Sequence, residues 1–240
     1  GIENMSIVTK KKKRAIEDHF DISYELEHQI KGTSKEHYLT EIRSVITKCT
    51  FSYTRQIEMK GLGHAILCGE NLIGNQPFAV LLADDLCDAP DKGVLSQMVE
   101  LYKKYNCSIV AIEEIPKEDT NKYGVIAGNE IEPGIFMVKD SVEKPEPEVA
   151  PSNLAIIGRY ILTPDIFDII RETKPGKGGE IQITDALLTQ AKNGMVLAYK
   201  FKGERFDCGS IDGFVKATNY FYDKSIKNEK KEEKKDNGKK

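Results

Sequence analysis

The chain has 240 residues, 40% of them hydrophobic, and its 35 basic and 38 acidic side chains leave a formal charge of -3. That size allows one large domain or two small ones around a sizeable core, and the near balance of charge removes any global electrostatic case for nucleic acid or an anionic membrane surface. The five cysteines, at 49, 68, 87, 107 and 208, are scattered and form no Cys-x-x-Cys pair. They read as reduced thiols rather than a disulfide framework or zinc site, and with no signal peptide and no run of about 18 apolar residues the expected location is the cytoplasm.

In chain order, Gly1 to Thr9 reads as a turn entering a short strand, followed by five consecutive basic residues, Lys10 to Arg14, taken as a solvated helix start. Apolar residues at helical spacing predict helices over 15–30 and 34–47. Phe51 to Thr54 is strand-like, Gly61 to Leu72 opens on glycines and turns helical, and Pro77 to Ala83 is an apolar strand. Val94 to Tyr105 then reads as a helix and Ser108 to Ile112 as a strand, a β-α-β rhythm that predicts a parallel sheet with right-handed crossovers.

After Pro116 short strands alternate with Gly and Pro, at 123–127, 136–142 and 154–162, and predict an antiparallel or mixed extension. Helices return at 163–173 and 182–192, then a strand at 196–201. The stretch 227–240 is almost wholly Lys, Glu, Asp and Asn and reads as a frayed helix end and disordered tail. The expected division is therefore a folded domain over 1–226 and a charged tail over 227–240.

Five features carry chemistry. Val80-Leu-Leu-Ala-Asp-Asp85 ends an apolar run in two carboxylates, where an open α/β sheet places ligands, and a carboxylate there suits Mg²⁺ together with substrate phosphates. Gln56, followed by Lys60-Gly-Leu-Gly-His64, offers an amide able to meet a nucleobase edge beside glycines that let a flat ligand approach, though a helix opening on glycine is common without a ligand. Tyr123-Gly124 would let a sugar lie against backbone, or is a plain turn glycine. Val142-Glu-Lys-Pro145 pairs an acceptor for hydroxyls with a lysine for phosphate, or is an exposed ion pair of little consequence. Asp207-Cys-Gly209 supplies a distant carboxylate able to close the metal site. No nucleophile elbow, His-Glu-x-x-His helix or Walker loop is present.

In order along the chain, Ala15-Ile-Glu-Asp-His-Phe-Asp21, Gln56, Lys60-Gly-Leu-Gly-His-Ala65, Leu81-Leu-Ala-Asp-Asp85, Tyr123-Gly124, Val142-Glu-Lys-Pro145, Pro151-Ser-Asn-Leu-Ala155, Glu180-Ile-Gln-Ile-Thr-Asp185 and Asp207-Cys-Gly209 resemble the bacterial UTP–glucose-1-phosphate uridylyltransferases. The resemblance implies a Rossmann-like nucleotidyltransferase fold of the α/β class, a mixed and mostly parallel sheet flanked by helices. It implies Mg²⁺-assisted conversion of UTP and glucose 1-phosphate into UDP-glucose and pyrophosphate. By it Gln56 and Gly61 would hold uracil, Asp84 and Asp207 would ligate Mg²⁺, Tyr123, Gly124 and Glu143 would meet glucose, and Lys144 would contact phosphate. Asn153 to Ile156 would line the sugar pocket.

The family begins with a strand and a glycine-rich loop that grips the triphosphate, and this sequence starts after them, so the first βα unit is expected to be missing and the chain alone impaired and poorly stable. Two other readings stand beside it: a sibling using dTTP or CTP, and a non-catalytic sugar-nucleotide binder. Oligomeric state is not legible in the residues, although family members pair through carboxyl-terminal helices, which admits a dimer or tetramer.

Overall fold

The computed structural model describes residues 2–237. In chain order it comprises β1 (Asn4–Thr9), α1 (Arg14–His19), α2 (Tyr24–Ile30), α3 (Glu36–Ile46), β2 (Thr50–Arg55), α4 (Gly61–Cys68) and α5 (Glu70–Ile73). There follow β3 (Phe78–Leu81), β4 (Asp85–Asp88), α6 (Val94–Tyr105), β5 (Ser108–Glu114), β6 (Gly124–Glu132), β7 (Ile135–Glu143) and β8 (Leu154–Leu162). The chain ends with α7 (Ile166–Glu172), α8 (Ile183–Asn193), β9 (Val196–Lys200), β10 (Glu204–Asp207) and α9 (Ile211–Asn237). It divides into two units, one of residues 1–76 with 164–186, the other of residues 77–163 and those from 187 onward.

In the first unit β1 and β2 pair in parallel, Asn4 opposite Thr50 through Thr9 opposite Arg55. Helix α7 buries Ile166, Phe167 and Ile170 and packs on α4. The start of α4 is pinned by the segment at Glu180–Ile181: Ile181 N–H donates to the Lys60 carbonyl at 2.8 Å and Gly63 N–H to the Ile181 carbonyl at 3.0 Å. A Cβ on Gly61, whose φ is +88°, would lie 2.7 Å from Glu180 Cβ, and one on Gly63 would lie 2.7 Å from the Ile181 carbonyl oxygen. Both glycines are thus required by backbone packing. The helix expected over 15–30 is interrupted at Phe20–Ser23, where Ser23 starts a second helix from an extended conformation.

In the second unit six strands form one sheet in the order β3-β8-β5-β9-β7-β6, and β6 also pairs with the first residues of β8. The sheet is mixed as expected, but only β5 and β9 pair in parallel, the other pairings being antiparallel. The expectation of a mostly parallel sheet is corrected here. All nine residues of β8 are buried, and this strand inserts between β3 and β5, so the two that the β-α-β rhythm suggests as neighbours do not pair. The core gathers Met98 of α6, Ile109 and Ala111 of β5, Ile157 and Ile161 of β8 and Leu197 of β9. Val94 and Met98, four apart on α6, share the face that enters it.

A second ladder in this unit escapes the sequence reading. The strand expected over 77–83 ends at Leu81, the chain turns through Leu82–Asp84, and β4 then pairs antiparallel with β10, Asp85 opposite Asp207 and Asp88 opposite Glu204. Helix α9 is described through Asn237, so the stretch read as a tail from Lys227 begins within it, and 238–240 lie outside the described residues.

Candidate active site

The two neighbouring acids Asp84 and Asp85 part company where β4 begins. Asp85 points inward and is 6% exposed; its Oδ2 accepts from Gly158 N–H at 2.7 Å and its Oδ1 from Arg205 Nε at 2.5 Å. Gly158 allows this closeness, since a Cβ there would stand 2.8 Å from the same Oδ2. Asp84 is exposed, and its carbonyl accepts from Cys208 N–H at 2.7 Å, which carries the β4–β10 ladder one step further.

Asp207 closes β10 directly across from Asp85. Its Oδ2 accepts from the Tyr123 hydroxyl at 2.7 Å and lies 3.3 Å from Arg205 Nη2, while its Oδ1 accepts from Gly209 N–H at 3.1 Å. A Cβ on Gly209 would sit 3.0 Å from that Oδ1 and 3.6 Å from Asp84 Oδ2, so the two carboxylates front one gap kept open by the glycine. Burial, and after it the charges of Asp207, Asp85 and Asp84, push the Cys208 thiol pKa upward.

Arg205 is the hub. Its guanidinium reaches Asp85, Glu113 at 3.4 Å and Asp207, and its Cζ lies 5.0 Å from the centre of the Tyr123 ring. Burial alone would pull its pKa down; the hydrogen bond and charge of Asp85 outweigh this and drive it upward. The Tyr123 hydroxyl is likewise pushed up, by burial and then by its bond to Asp207. Sequence reading missed both Arg205 and the inward role of Asp85. The available signal was the spacing of Arg205 and Asp207, which at i and i+2 of a strand share one face.

Tyr123 also joins this carboxylate to the β6–β7 hairpin. Its carbonyl accepts from Lys144 N–H at 3.0 Å, Gly124 lies opposite Glu143 in the ladder, and Glu143 Oε1 is 3.8 Å from Lys144 Nζ. Lys144 has φ +46°, an uncommon conformation for a side-chain-bearing residue and one that concentrates at functional sites. Asp84, Asp207, Tyr123, Gly124, Glu143 and Lys144 thus form one connected set.

Asn153 and Ile156 stand slightly apart. The Asn153 amide donates to the Ile115 carbonyl at 3.2 Å, and Ile156, 7% exposed, pairs with Ile112 one step along β8 from the residue opposite Val125. In the first unit the Gln56 amide nitrogen donates to the Gly61 carbonyl and to His64 Nδ1, both at 3.0 Å. Lys10, from the basic run, reaches the Met59 sulfur at 3.1 Å.

Among the described residues no cluster of three or more His, Cys, Asp or Glu is arranged to hold a metal ion. The pair Asp84 and Asp207 is a sparser oxygen set, and it fits a cation such as Mg²⁺, which takes one or two carboxylates and completes its shell with water and substrate phosphate.

The family model described as nucleotidyl transferase matches residues 1–224, which sets this α/β chain among the nucleotidyltransferases. A UTP–glucose-1-phosphate uridylyltransferase of Pseudomonas aeruginosa is 66% identical over 228 residues, 95% of this chain and 82% of that protein. A crystal structure of UDP-glucose pyrophosphorylase complexed with UDP-glucose is 60% identical with a TM-score of 0.85, covering 92% of this chain and 81% of that one. A UTP-bound enzyme from Acinetobacter baumannii is 34% identical with a TM-score of 0.81, covering 92% and 77%. The chain belongs to the UTP–glucose-1-phosphate uridylyltransferase family.

Proposed function

We propose that this protein transfers the uridylyl group of UTP to glucose 1-phosphate, forming UDP-glucose and releasing pyrophosphate. A phosphate oxygen of the sugar attacks the α-phosphorus in line with the leaving pyrophosphate, so no covalent enzyme intermediate is required and the protein's part is positioning and charge neutralisation. Asp84 and Asp207 would hold Mg²⁺, which when bound neutralises charge on the nucleotide phosphates. Lys144 supplies a cation to phosphate, and Glu143, 17% exposed at its side chain, accepts from sugar hydroxyls opposite Gly124.

The observation that carries this reading is the link through Tyr123, whose hydroxyl bonds the metal-side Asp207 and whose carbonyl bonds the backbone of Lys144. One residue thereby ties the cation pair to the sugar-phosphate motif. The base preference rests on Gln56. Both amide hydrogens are taken, by Gly61 and His64, which leaves Oε1 to accept; that matches the N3–H of uracil and opposes the N3 lone pair of cytosine. Thymine shares that N–H, so this amide does not separate UTP from dTTP. The five unpaired cysteines support a reducing, cytoplasmic setting, and no helix among the described residues is long and apolar enough to cross a membrane.

The test is pyrophosphate release from UTP and glucose 1-phosphate with Mg²⁺, compared with the Glu143→Gln variant. The expected outcome is Mg²⁺-dependent turnover in the parent, with the variant raising the KM for glucose 1-phosphate far more than that for UTP. Equal effects on both substrates would contradict the sugar-side role.

A further inference from the structure

We propose that Tyr123 is a positioning residue for the cation carboxylate, holding Asp207 by one oxygen so that the other faces Asp84. This rests on the reading of Asp84 and Asp207 as the metal pair. A carboxylate on a strand end swings about its last torsion, because that terminal torsion is broad and roughly two-fold. Three neighbours remove this freedom from Asp207. Tyr123 donates to Oδ2 at 2.7 Å, Arg205 Nη2 stands 3.3 Å from the same oxygen, and Gly209 N–H takes one site on Oδ1 at 3.1 Å. What remains of Oδ1 fronts the gap above Gly209 that Asp84 Oδ2 also borders.

Tyr123 is itself fixed from two sides. Its ring lies under the Arg205 guanidinium at 5.0 Å, and that guanidinium is anchored by the buried Asp85. Its carbonyl is tied to Lys144 N–H. The side chain is half-buried and its one hydroxyl proton is committed to Asp207. Residues that orient a metal's ligands in this manner commonly change metal affinity by about 10- to 100-fold when altered.

The experiment titrates Mn²⁺ into the protein with UDP-glucose present and reads free Mn²⁺ by electron paramagnetic resonance, for the parent, Tyr123→Phe and Asp207→Asn. Tyr123→Phe keeps the ring under Arg205 and removes only the donor. The expected result is Mn²⁺ binding weakened about tenfold or more in both variants. For Tyr123→Phe, UDP-glucose affinity at saturating Mn²⁺ and the thermal transition should stay close to the parent's.

If Asp207→Asn weakens Mn²⁺ and Tyr123→Phe does not, the positioning role is overturned while the metal reading stands. Loss of UDP-glucose affinity with unchanged Mn²⁺ affinity in Tyr123→Phe also overturns it, in favour of a sugar contact. If Asp207→Asn binds Mn²⁺ as the parent does, or the parent binds none, the metal reading falls and the positioning role with it.

Discussion

Asp85 Oδ1 and Arg205 Nε meet at 2.5 Å with side chains 9% and 6% exposed, a charge pair almost closed off from water one residue away from an exposed carboxylate. Desolvating two charges is costly, and such a pair persists only when further hydrogen bonds satisfy what the ion contact leaves over. Here Gly158 N–H on Asp85, and Glu113 and Asp207 on Arg205, supply them. Adjacent aspartates in the sequence therefore stand in separate settings, Asp85 buried against Arg205 and Asp84 exposed.

Asp85→Asn should accordingly behave as a stability variant, losing on the order of 3–5 kcal/mol because Arg205 is left buried without its main partner. Asp84→Asn should unfold near the parent's midpoint yet lose Mg²⁺-dependent pyrophosphate release. Urea unfolding and the turnover assay on both variants check this, and matching unfolding midpoints would refute the division.

The glycines at the start of α4 allow a second contrast. Gly63→Ala drives a Cβ to 2.7 Å from the Ile181 carbonyl, and because the obstacle is backbone the expected cost is that of overpacking, about 1–3 kcal/mol. Gly93, the N-cap of α6 with φ −51° and nothing within 4 Å of its added Cβ, should accept alanine with a net change within about 1 kcal/mol, the gain from the unfolded chain opposing alanine's poorer capping. Thermal or chemical denaturation distinguishes the two.

Burial pushes the Cys107 thiol up to about 11 from an ordinary 9.0. Its proton is held more tightly in the folded state, so this group's contribution is fully present below pH 9 and is lost as pH rises through about 11. Iodoacetamide at pH 8, followed by peptide mass mapping, should leave Cys107 unlabelled in the native protein and label it in urea. Labelling of native Cys107 at the rate of the part-buried Cys49 would contradict its place in the core.

Much of the second unit is legible in the sequence because its central strands are buried. The apolar runs of β5 and β8 and the four-residue spacing of Val94 and Met98 follow directly from that burial. The neighbour relations are not, since nothing in the run 154–162 states that it will lie antiparallel between two earlier strands. Strands β4 and β10 read Asp-Leu-Cys-Asp and Glu-Arg-Phe-Asp; at four residues each, rich in charge, they resemble loops until paired. Asp84, Asp207, Glu143 and Lys144 stood out by chemistry. Arg205 did not, because an arginine gains meaning only when β4 brings Asp85 to it. Gly61 and Gly63 were read for a ligand's approach, and in the fold their missing side chains make room for residues 180 and 181.

The short β4–β10 ladder acts as a gauge for the carboxylates around Arg205. Asp207 ends one rail opposite Asp85, while Asp84 sits in the turn that enters the other rail and is tied down by the Cys208 N–H bond to its carbonyl at 2.7 Å. A slip of one residue would turn every side chain of a rail to the opposite face, carrying Asp85 away from Arg205. Length changes in the hairpin tip around Gly134 are compatible with that gauge, whereas a single insertion within Asp85–Asp88 or Glu204–Asp207 would part Asp85 from Arg205 and from its place opposite Asp207.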